Sequence, residues 1–379
     1  MLGFVKIQQN SDFSKICRKG LKKWRESGKI IGLQNKSYEN GVKIMGRVGE
    51  DMLFALSAVA PIVLMVLIGY FLKRIGWISE KFAKSANKLT FRAFMPVMLF
   101  LSIYSMDPSG QDLTYMWYVL GSLLVIFGVS IPLVIWVTKH NDRRGVLVQA
   151  AFRSGYSLIG IPLAAALNAA GGRQAAALLA AGVIPLFNVL AVISLSVFNG
   201  NEDSKGKGIS IKRILLGIVK NPLIIGIAAG AVALGIRILC AKNGIDFRIE
   251  RVAPLYQVLE YMSGMAIPMA LLVLGAQFEF SAVSSLRREI IFGTIVRTVA
   301  VPVIFVGLAY LLFRDRFTAA QFACIVSVFA TPAAVTIGPM AQEMGGDVNL
   351  SGQLVVWSTL ISAVTVFLAT FLLRLGGAL

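Results

Sequence analysis

The sequence has few residues of the kinds that build catalytic or metal centres. It contains one histidine, His140, and three cysteines, Cys17, Cys240 and Cys324, among 379 residues. The cysteines are too far apart in the chain to show a metal-ligand or disulfide spacing. We also find no glycine-rich phosphate loop and no nucleophile beside a histidine. The chain is therefore not expected to be an enzyme, to bind a metal or to carry a cofactor.

Charged residues are also scarce, at 15% of the chain. Hydrophobic residues make up 56% and the mean hydropathy is +0.74, whereas a soluble domain is roughly 45–50% apolar. The charges cluster between long apolar runs, a pattern typical of a polytopic α-helical membrane protein. The net charge of +18 comes from Lys and Arg that flank these runs. This arrangement favours contact with anionic lipid headgroups over nucleic-acid binding.

The first 51 residues differ from the rest of the chain. They are polar, carry eleven Lys or Arg, and contain neither an apolar span nor a signal-peptide core. We expect residues 1–51 to be disordered, or to lie upstream of a true start at Met52. A short interfacial helix at Phe13 to Trp24, where apolar residues recur at helical spacing, is the alternative.

Ten apolar stretches follow, each near the ~20 residues that a bilayer crossing needs. We predict spans at 53–72, 83–105, 116–138, 146–168, 174–198, 213–236, 252–276, 288–313, 319–342 and 350–374. A polar linker at 199–212 divides them into a first half at 52–198 and a second half at 213–379. The predicted fold is an all-α integral membrane protein with ten transmembrane helices.

Spans 4 and 9 each contain a proline near the middle. Pro162 in span 4 and Pro332 in span 9 are 170 positions apart, as are Pro132 and Pro302 in spans 3 and 8. A proline removes a backbone donor and restricts the preceding residue, so helices 4 and 9 are predicted to be broken. Because each half has an odd number of spans, the second half would be inserted upside down. Inverted repeats that pair two broken helices at the membrane midplane are typical of secondary transporters.

The distribution of basic residues predicts the orientation. The loops after spans 1, 3, 5 and 7 are rich in Lys and Arg, whereas the loop after span 2 has two acids and no base. By the positive-inside rule, the odd-numbered loops and the linker at 199–212 face the cytoplasm. The first and last residues of the membrane domain would then lie on the external side of the cytoplasmic membrane.

Arginines inside the spans are the strongest candidates for a binding site, because intramembrane charge is costly. Arg92, Arg153 and Arg297 lie in spans 2, 4 and 8, and the spans contain few acids. We expect half-helices that begin at Pro162 and Pro332 to direct their positive ends at an anion. The alternative is that the arginines extend to lipid headgroups.

Polar and small residues near the two prolines complete the predicted substrate site. The candidates are Arg92, Arg153, Ser154, Tyr156, Ser157, Gly160, Pro162, Gln277, Arg297, Thr331, Pro332 and Thr336. Glycine lets backbone approach a ligand closely. Hydroxyls that bond only their own helix backbone are the structural alternative.

Several stretches together resemble the auxin efflux carrier family of membrane transport proteins. They are Pro61–Gly76, Lys88–Pro96, Phe152–Leu163, Ala330–Thr336 and Ala341–Asp347, and the similarity runs over residues 52–379. The resemblance implies two inverted five-helix repeats, as in the plant PIN carriers, with helices 4 and 9 crossing at their breaks. It also implies a scaffold of spans 1, 2, 6 and 7, a mobile transport domain of spans 3–5 and 8–10, and a homodimer.

The resemblance also bears on the substrate. Bacterial members of this family include malate and malonate permeases, and the plant carriers export auxin, a weak organic acid. Relatives commonly carry an asparagine just before the first crossing, where this chain has Gly155 and Tyr156. A substrate contact through that amide is therefore not expected here.

We predict a secondary transporter, a permease or efflux carrier, for a small organic anion such as a mono- or dicarboxylate. Alternating access around the crossing of helices 4 and 9 would move the anion. A cation-coupled antiporter or a sodium-dependent organic-anion symporter of similar architecture is the first alternative. A membrane scaffold or sensor without transport is the second. The expected partners are the anion, the lipid bilayer and a second copy of the chain.

Overall fold

The computed structural model of the protein describes residues 60–105, 114–199, 216–244 and 248–379. In these ranges the chain is almost entirely helical and contains no β-strand, although one antiparallel β-bridge joins Ser154 to Ala333. The prediction of an all-α membrane fold is confirmed. The predicted extension at 1–51, residues 53–59 of the first span and all of the linker after residue 199 lie outside the described residues.

Helices lie at all ten predicted spans, and we number them α1 to α10. Helices α1 to α5 are residues 60–74, 80–104, Thr114–Val137, the pair Asn141–Phe152 and Tyr156–Leu167, and Gly172–Asn199. Helices α6 to α10 are Pro222–Lys242, Ala253–Ala276, Arg287–Phe313, the pair Ala319–Phe329 and Ile337–Glu343, and Val348–Leu375. We call the two parts of the broken helices α4a and α4b, and α9a and α9b.

Six of the helices in the described ranges are long and apolar enough to cross a membrane, namely α3, α5, α6, α7, α8 and α10. The other four differ for identifiable reasons. Helix α1 is described only from residue 60, and the first half of α2 carries several charged residues. Helices α4 and α9 are each divided by a break, so neither part reaches the length of a bilayer crossing.

The first break lies before Pro162. Helix α4a ends at Phe152, Arg153 is extended with φ −89° and ψ 103°, and α4b begins at Tyr156 with a π-helical turn. Pro162 is at the start of the regular α-helical part of α4b, where its missing N–H costs little. The prediction that the half-helix begins at Pro162 is therefore wrong, because the helix restarts before the proline at Tyr156.

The second break contains its proline in the middle. Helix α9a ends at Phe329, Pro332 lies in the non-helical stretch 330–336, and α9b begins at Ile337. The prediction that a half-helix begins at Pro332 is also wrong, because this proline ends one half-helix without starting the next. The breaks follow Phe152 and Phe329, which are 177 positions apart. The 170-residue spacing of the prolines therefore does not align the two breaks.

Helices α1, α2, α6 and α7 form one group and approach each other closely at glycines. At four of these glycines, an added side chain would collide with the backbone of the neighbouring helix. Such contacts between small residues let helices pack in a membrane, where lipid is as apolar as the side chains. The pairs are Gly69 with Leu272, Gly275 with Val66, Gly226 with Pro96, and Gly230 with Phe100.

The remaining helices form a second group around the two breaks. Helix α4a packs against α3 and α5, α9a packs against α4b and α5, and α8 packs against α10. Phe152 and Phe329, which end α4a and α9a, are fully buried in the core of this group. The two groups contain the same helices as the scaffold and the transport domain that the family resemblance implies.

Contacts between the segments that connect the helices show which of these segments lie at the same end of the helix bundle. Arg143, at the start of α4a, forms ion pairs with Glu289 at 2.9 Å and with Asp347 at 3.3 Å. The rings of Tyr70, near the end of α1, and Phe280, after α7, are 5.6 Å apart. The connections that follow α1, α3, α7 and α9 therefore lie at one end, which we call the odd end.

Candidate functional site

The two breaks cross each other as antiparallel extended segments. The N–H of Gly155 donates to the carbonyl of Pro332 at 2.8 Å, and the N–H of Ala334 donates to the carbonyl of Arg153 at 3.1 Å. Backbone groups freed by a broken helix need such partners, because hydrocarbon offers none. The structure thus brings together the two stretches that the sequence marks by their prolines.

Arg297 is fully buried in α8 and donates to main-chain carbonyls of both breaks. Its guanidinium makes five hydrogen bonds, of 2.6 to 3.5 Å, to the carbonyls of Ala151, Phe152, Val328, Phe329 and Thr331. Carbonyls at a helix C-terminus lack intrahelical donors and form the negative end of the helix dipole. Arg297 therefore supplies donors and a compensating charge to the ends of α4a and α9a together.

Arg153 is 4% exposed, and its partners are neutral side chains. Its Nη2 donates to Asn188 Oδ1 at 2.7 Å, and its Nη1 donates to Gln149 Oε1 at 3.4 Å and to Met340 Sδ. Among the described residues, no carboxylate lies within ion-pair distance of it. A buried guanidinium without a carboxylate is an uncompensated positive charge, which favours an anion nearby.

Two serines at the first break are candidates for contacts with a ligand. Ser154 is 3% exposed, and its Oγ has no hydrogen-bond partner in the part of the chain that the structure describes. Ser157 is exposed in the first turn of α4b. The first N–H groups of a helix have no intrahelical acceptor. The start of α4b therefore adds backbone donors next to these two hydroxyls.

Tyr156, Gly160 and Pro162 shape α4b. Tyr156 is buried, and its hydroxyl donates to the carbonyl of Ala176 at 2.9 Å. Gly160 packs so closely against the Tyr156 ring that any side chain there would collide with it. Pro162 is exposed on α4b. None of the three directs a free polar group at the crossing.

The candidates of the second break differ in exposure. Thr331 is fully buried, and its Oγ1 donates to the carbonyl of Ser327 at 2.7 Å. Pro332 is buried and supplies the carbonyl that accepts from Gly155. Thr336 is half-buried immediately before α9b. Of these three predicted residues, Thr336 has the most accessible side chain.

Arg92 and Gln277 contact α9b and not the crossing segments. Arg92 is exposed and forms an ion pair with Glu343 at 3.4 Å. Gln277 Nε2 donates to Gln342 Oε1 at 2.8 Å. The buried amide of Asn87 donates to a carbonyl of α9b at 3.3 Å. These side chains connect the helix group of α1, α2, α6 and α7 to the broken helix α9.

The side chains that bind Arg153 were not predicted from the sequence. Asn188 is 2% exposed in α5, three residues after Pro185, and Gln149 lies one turn before Arg153 on α4a. The Nε2 of Gln149 has no hydrogen-bond partner among the described residues. An amide inside an apolar span is a signal that would have identified Asn188. Met340 carries no such signal.

Comparisons with known proteins identify the family of the chain. Residues 54–370 match the family described as membrane transport protein. An uncharacterized transporter of Methanothermobacter thermautotrophicus is 25% identical over 316 residues, which cover 81% of this chain and 94% of the archaeal protein. An uncharacterized transporter of Methanocaldococcus jannaschii is 26% identical over 227 residues, which cover 58% and 68% of the two chains. The chain therefore belongs to the membrane transport protein family, that of the auxin efflux carriers, and is a multi-pass membrane transporter.

Proposed function

We propose that the protein is a secondary carrier for a small organic anion, such as a mono- or dicarboxylate, which binds where α4 and α9 cross. The observation that carries this proposal is the buried guanidinium of Arg153, which has only neutral partners. Ser154, the next residue in the chain, has a hydroxyl without a hydrogen-bond partner among the described residues. A buried positive charge together with free hydroxyl and N–H donors is the chemistry that recognises a carboxylate.

The other two arginines are less suited to this role. The donors of Arg297 bind five carbonyls, and Arg92 is exposed and paired with Glu343. We therefore assign the direct contacts to Ser154, Ser157 and the first N–H groups of α4b. Arg153 would attract the anion through its charge, since interactions between charges are strong where water is excluded.

The proposed mechanism is alternating access. The group that contains both breaks would move against the group of α1, α2, α6 and α7, and the polar contacts of α9b with α2 and α7 would break in that movement. The antiparallel crossing supports an inverted repeat of two five-helix halves. We further propose that the odd end of the helix bundle faces the cytoplasm, so that the first and last residues of the membrane domain lie on the external side of the cytoplasmic membrane. We also propose that the carrier is a homodimer, as its family resemblance implies.

Three acids at the odd end of the helix bundle, one of them at the end of α9b, favour an anion carrier over a cation-coupled one, because each is paired with an arginine. Glu289 and Asp347 share Arg143, and Glu343 is paired with Arg92. A carboxylate that already has an arginine partner is a poor ligand for a coupling cation, because the cation would have to replace that arginine.

Ligand-induced thermal stabilisation tests the proposal. Purified protein would be melted with malate, malonate, lactate, pyruvate, citrate and indole-3-acetate, and separately with sodium and at several pH values. A ligand that binds only the folded state contributes about 2.7 kcal/mol at ~100 times its Kd. We expect at least one carboxylate to raise the melting temperature.

Two variants locate the binding site in the same assay. Ser154→Ala should melt like the wild type without ligand, because Ser154 Oγ has no partner to lose. It should nevertheless lose most of the increase in melting temperature that the carboxylate causes. Arg92→Gln, which removes an exposed ion pair, should keep this increase. Stabilisation by sodium or by a pH change alone, with none by any anion, would overturn the proposal.

A further inference from the structure

An apolar cavity of about 200 Å³ lies between α1, the segment after α7, and α10. Its wall presents only apolar atoms, among them those of Ile62, Val63, Leu67, Val356, Trp357 and Leu360. Ile62 also packs in one cluster with Ile159, in the first turn of α4b, and with Val335, in the second break. The cavity thus separates a helix of one group from a helix of the other, close to the crossing.

The wall of this cavity excludes water and polar solutes. An apolar cavity of about 150 Å³ stays dry in a protein interior and takes up apolar molecules. Leu67 and Leu360, which line the cavity, are about half exposed at 51% and 45%. In a membrane these exposed apolar faces contact lipid, so the cavity opens to acyl chains of the bilayer.

A basic residue, Arg74 at the end of α1, lies near one end of the cavity. Tyr70 lines the cavity, and its hydroxyl accepts hydrogen bonds from Nε and Nη2 of Arg74 at 3.0 and 2.9 Å. Arg74 is exposed and forms no ion pair among the described residues. Trp77 is 77% exposed three residues later. Exposed tryptophan and arginine at a helix end are typical of the membrane interface.

From this arrangement we infer that the cavity is a binding site for one phospholipid of the surrounding bilayer. One acyl chain occupies the cavity between α1 and α10, and the phosphate contacts the guanidinium of Arg74. Arginine suits this contact because its planar donors match phosphate oxygens. Bound lipid fills the space between α1 and α10, so its presence affects how easily the two helix groups move against each other.

Quenching of Trp357 fluorescence by brominated lipid tests the site, since Trp357 lines the cavity. The full chain would keep Trp357 as its only tryptophan, with phenylalanine at the other tryptophan positions. It would be reconstituted in phosphatidylcholine vesicles whose acyl chains are brominated at mid-chain. We expect strong quenching of Trp357, and a clear reduction of it in Val63→Phe, whose larger side chain narrows the cavity. Leu64→Phe is the matched control, because Leu64 is 57% exposed on the same helix and does not line the cavity.

The headgroup contact is tested by the amount of phospholipid that remains after purification in detergent. Arg74→Gln should retain less phosphorus per protein than the wild type, and Arg74→Lys should restore part of it. Equal quenching in Val63→Phe and Leu64→Phe, with both variants folded by gel filtration, would overturn the site. Equal phosphorus in Arg74→Gln and wild type would overturn the assignment of the phosphate. Neither measurement requires transport, so the result does not depend on which substrate the carrier moves.

Discussion

Replacement of Arg297 tests whether the crossing is held together by this side chain. Arg297→Ala removes the donors of five hydrogen bonds to buried carbonyls at the ends of α4a and α9a. A buried polar group that loses its partner costs about 1–3 kcal/mol. Even if half of the carbonyls find other donors, the loss is about 3–8 kcal/mol. The total stability of a native protein is about 5–15 kcal/mol, so we expect the variant to fold poorly.

The assay is the fraction of detergent-purified protein that stays monodisperse after heating. Arg297→Lys keeps the charge but has fewer donors and no planar fork, so it should be intermediate. Arg92→Ala is the control, because it removes an exposed pair worth about 0–1 kcal/mol. If Arg297→Ala melts like Arg92→Ala and loses carboxylate binding, Arg297 contacts the substrate and the structural role is refuted.

The remaining predictions concern helix packing and the contacts of α9b. Gly275→Ala should cost about 1–3 kcal/mol, because its Cβ would collide with the backbone of Val66. Gly235→Ala, where an added Cβ meets nothing within 4 Å, should be neutral or stabilising in the same thermal assay. A double-mutant cycle on Gln277 and Gln342 should give a coupling of about 1 kcal/mol for their hydrogen bond. If the two substitutions change the stability additively, this hydrogen bond contributes nothing to the stability of the observed conformation.

Much of the fold is predictable from the sequence, because long apolar runs have few alternatives in a membrane. In the described residues a helix, or a pair of half-helices, lies at each predicted span, with some bounds shifted, and the two proline-containing stretches meet. The exact breaks were mispredicted, since a proline is compatible with several local structures. Pro162 lies just inside a helix, whereas Pro332 lies in an extended segment. Only the packing around them decides which structure forms.

The candidate site was less predictable than the fold. Arg153 and Arg297 look alike in the sequence, as single arginines within apolar spans. The structure separates them, because Arg297 reaches carbonyls of two helix ends while Arg153 has only side-chain partners. Asn188, which binds Arg153 from α5, is 35 residues away in the chain. Such a contact depends on how helices pack, and hydropathy and spacing do not specify it.

The most direct test of the central claim is transport of a carboxylate by purified protein in liposomes. Uptake of the radiolabelled acid that stabilises the protein would be measured for the wild type, Ser154→Ala and Gly235→Ala, with and without sodium or pH gradients. The account predicts saturable uptake that Ser154→Ala strongly reduces and that Gly235→Ala, where an added Cβ meets nothing within 4 Å, leaves nearly unchanged. Uptake that is unaffected by Ser154→Ala, or that occurs only for a cation, would contradict an anion site at the crossing of α4 and α9.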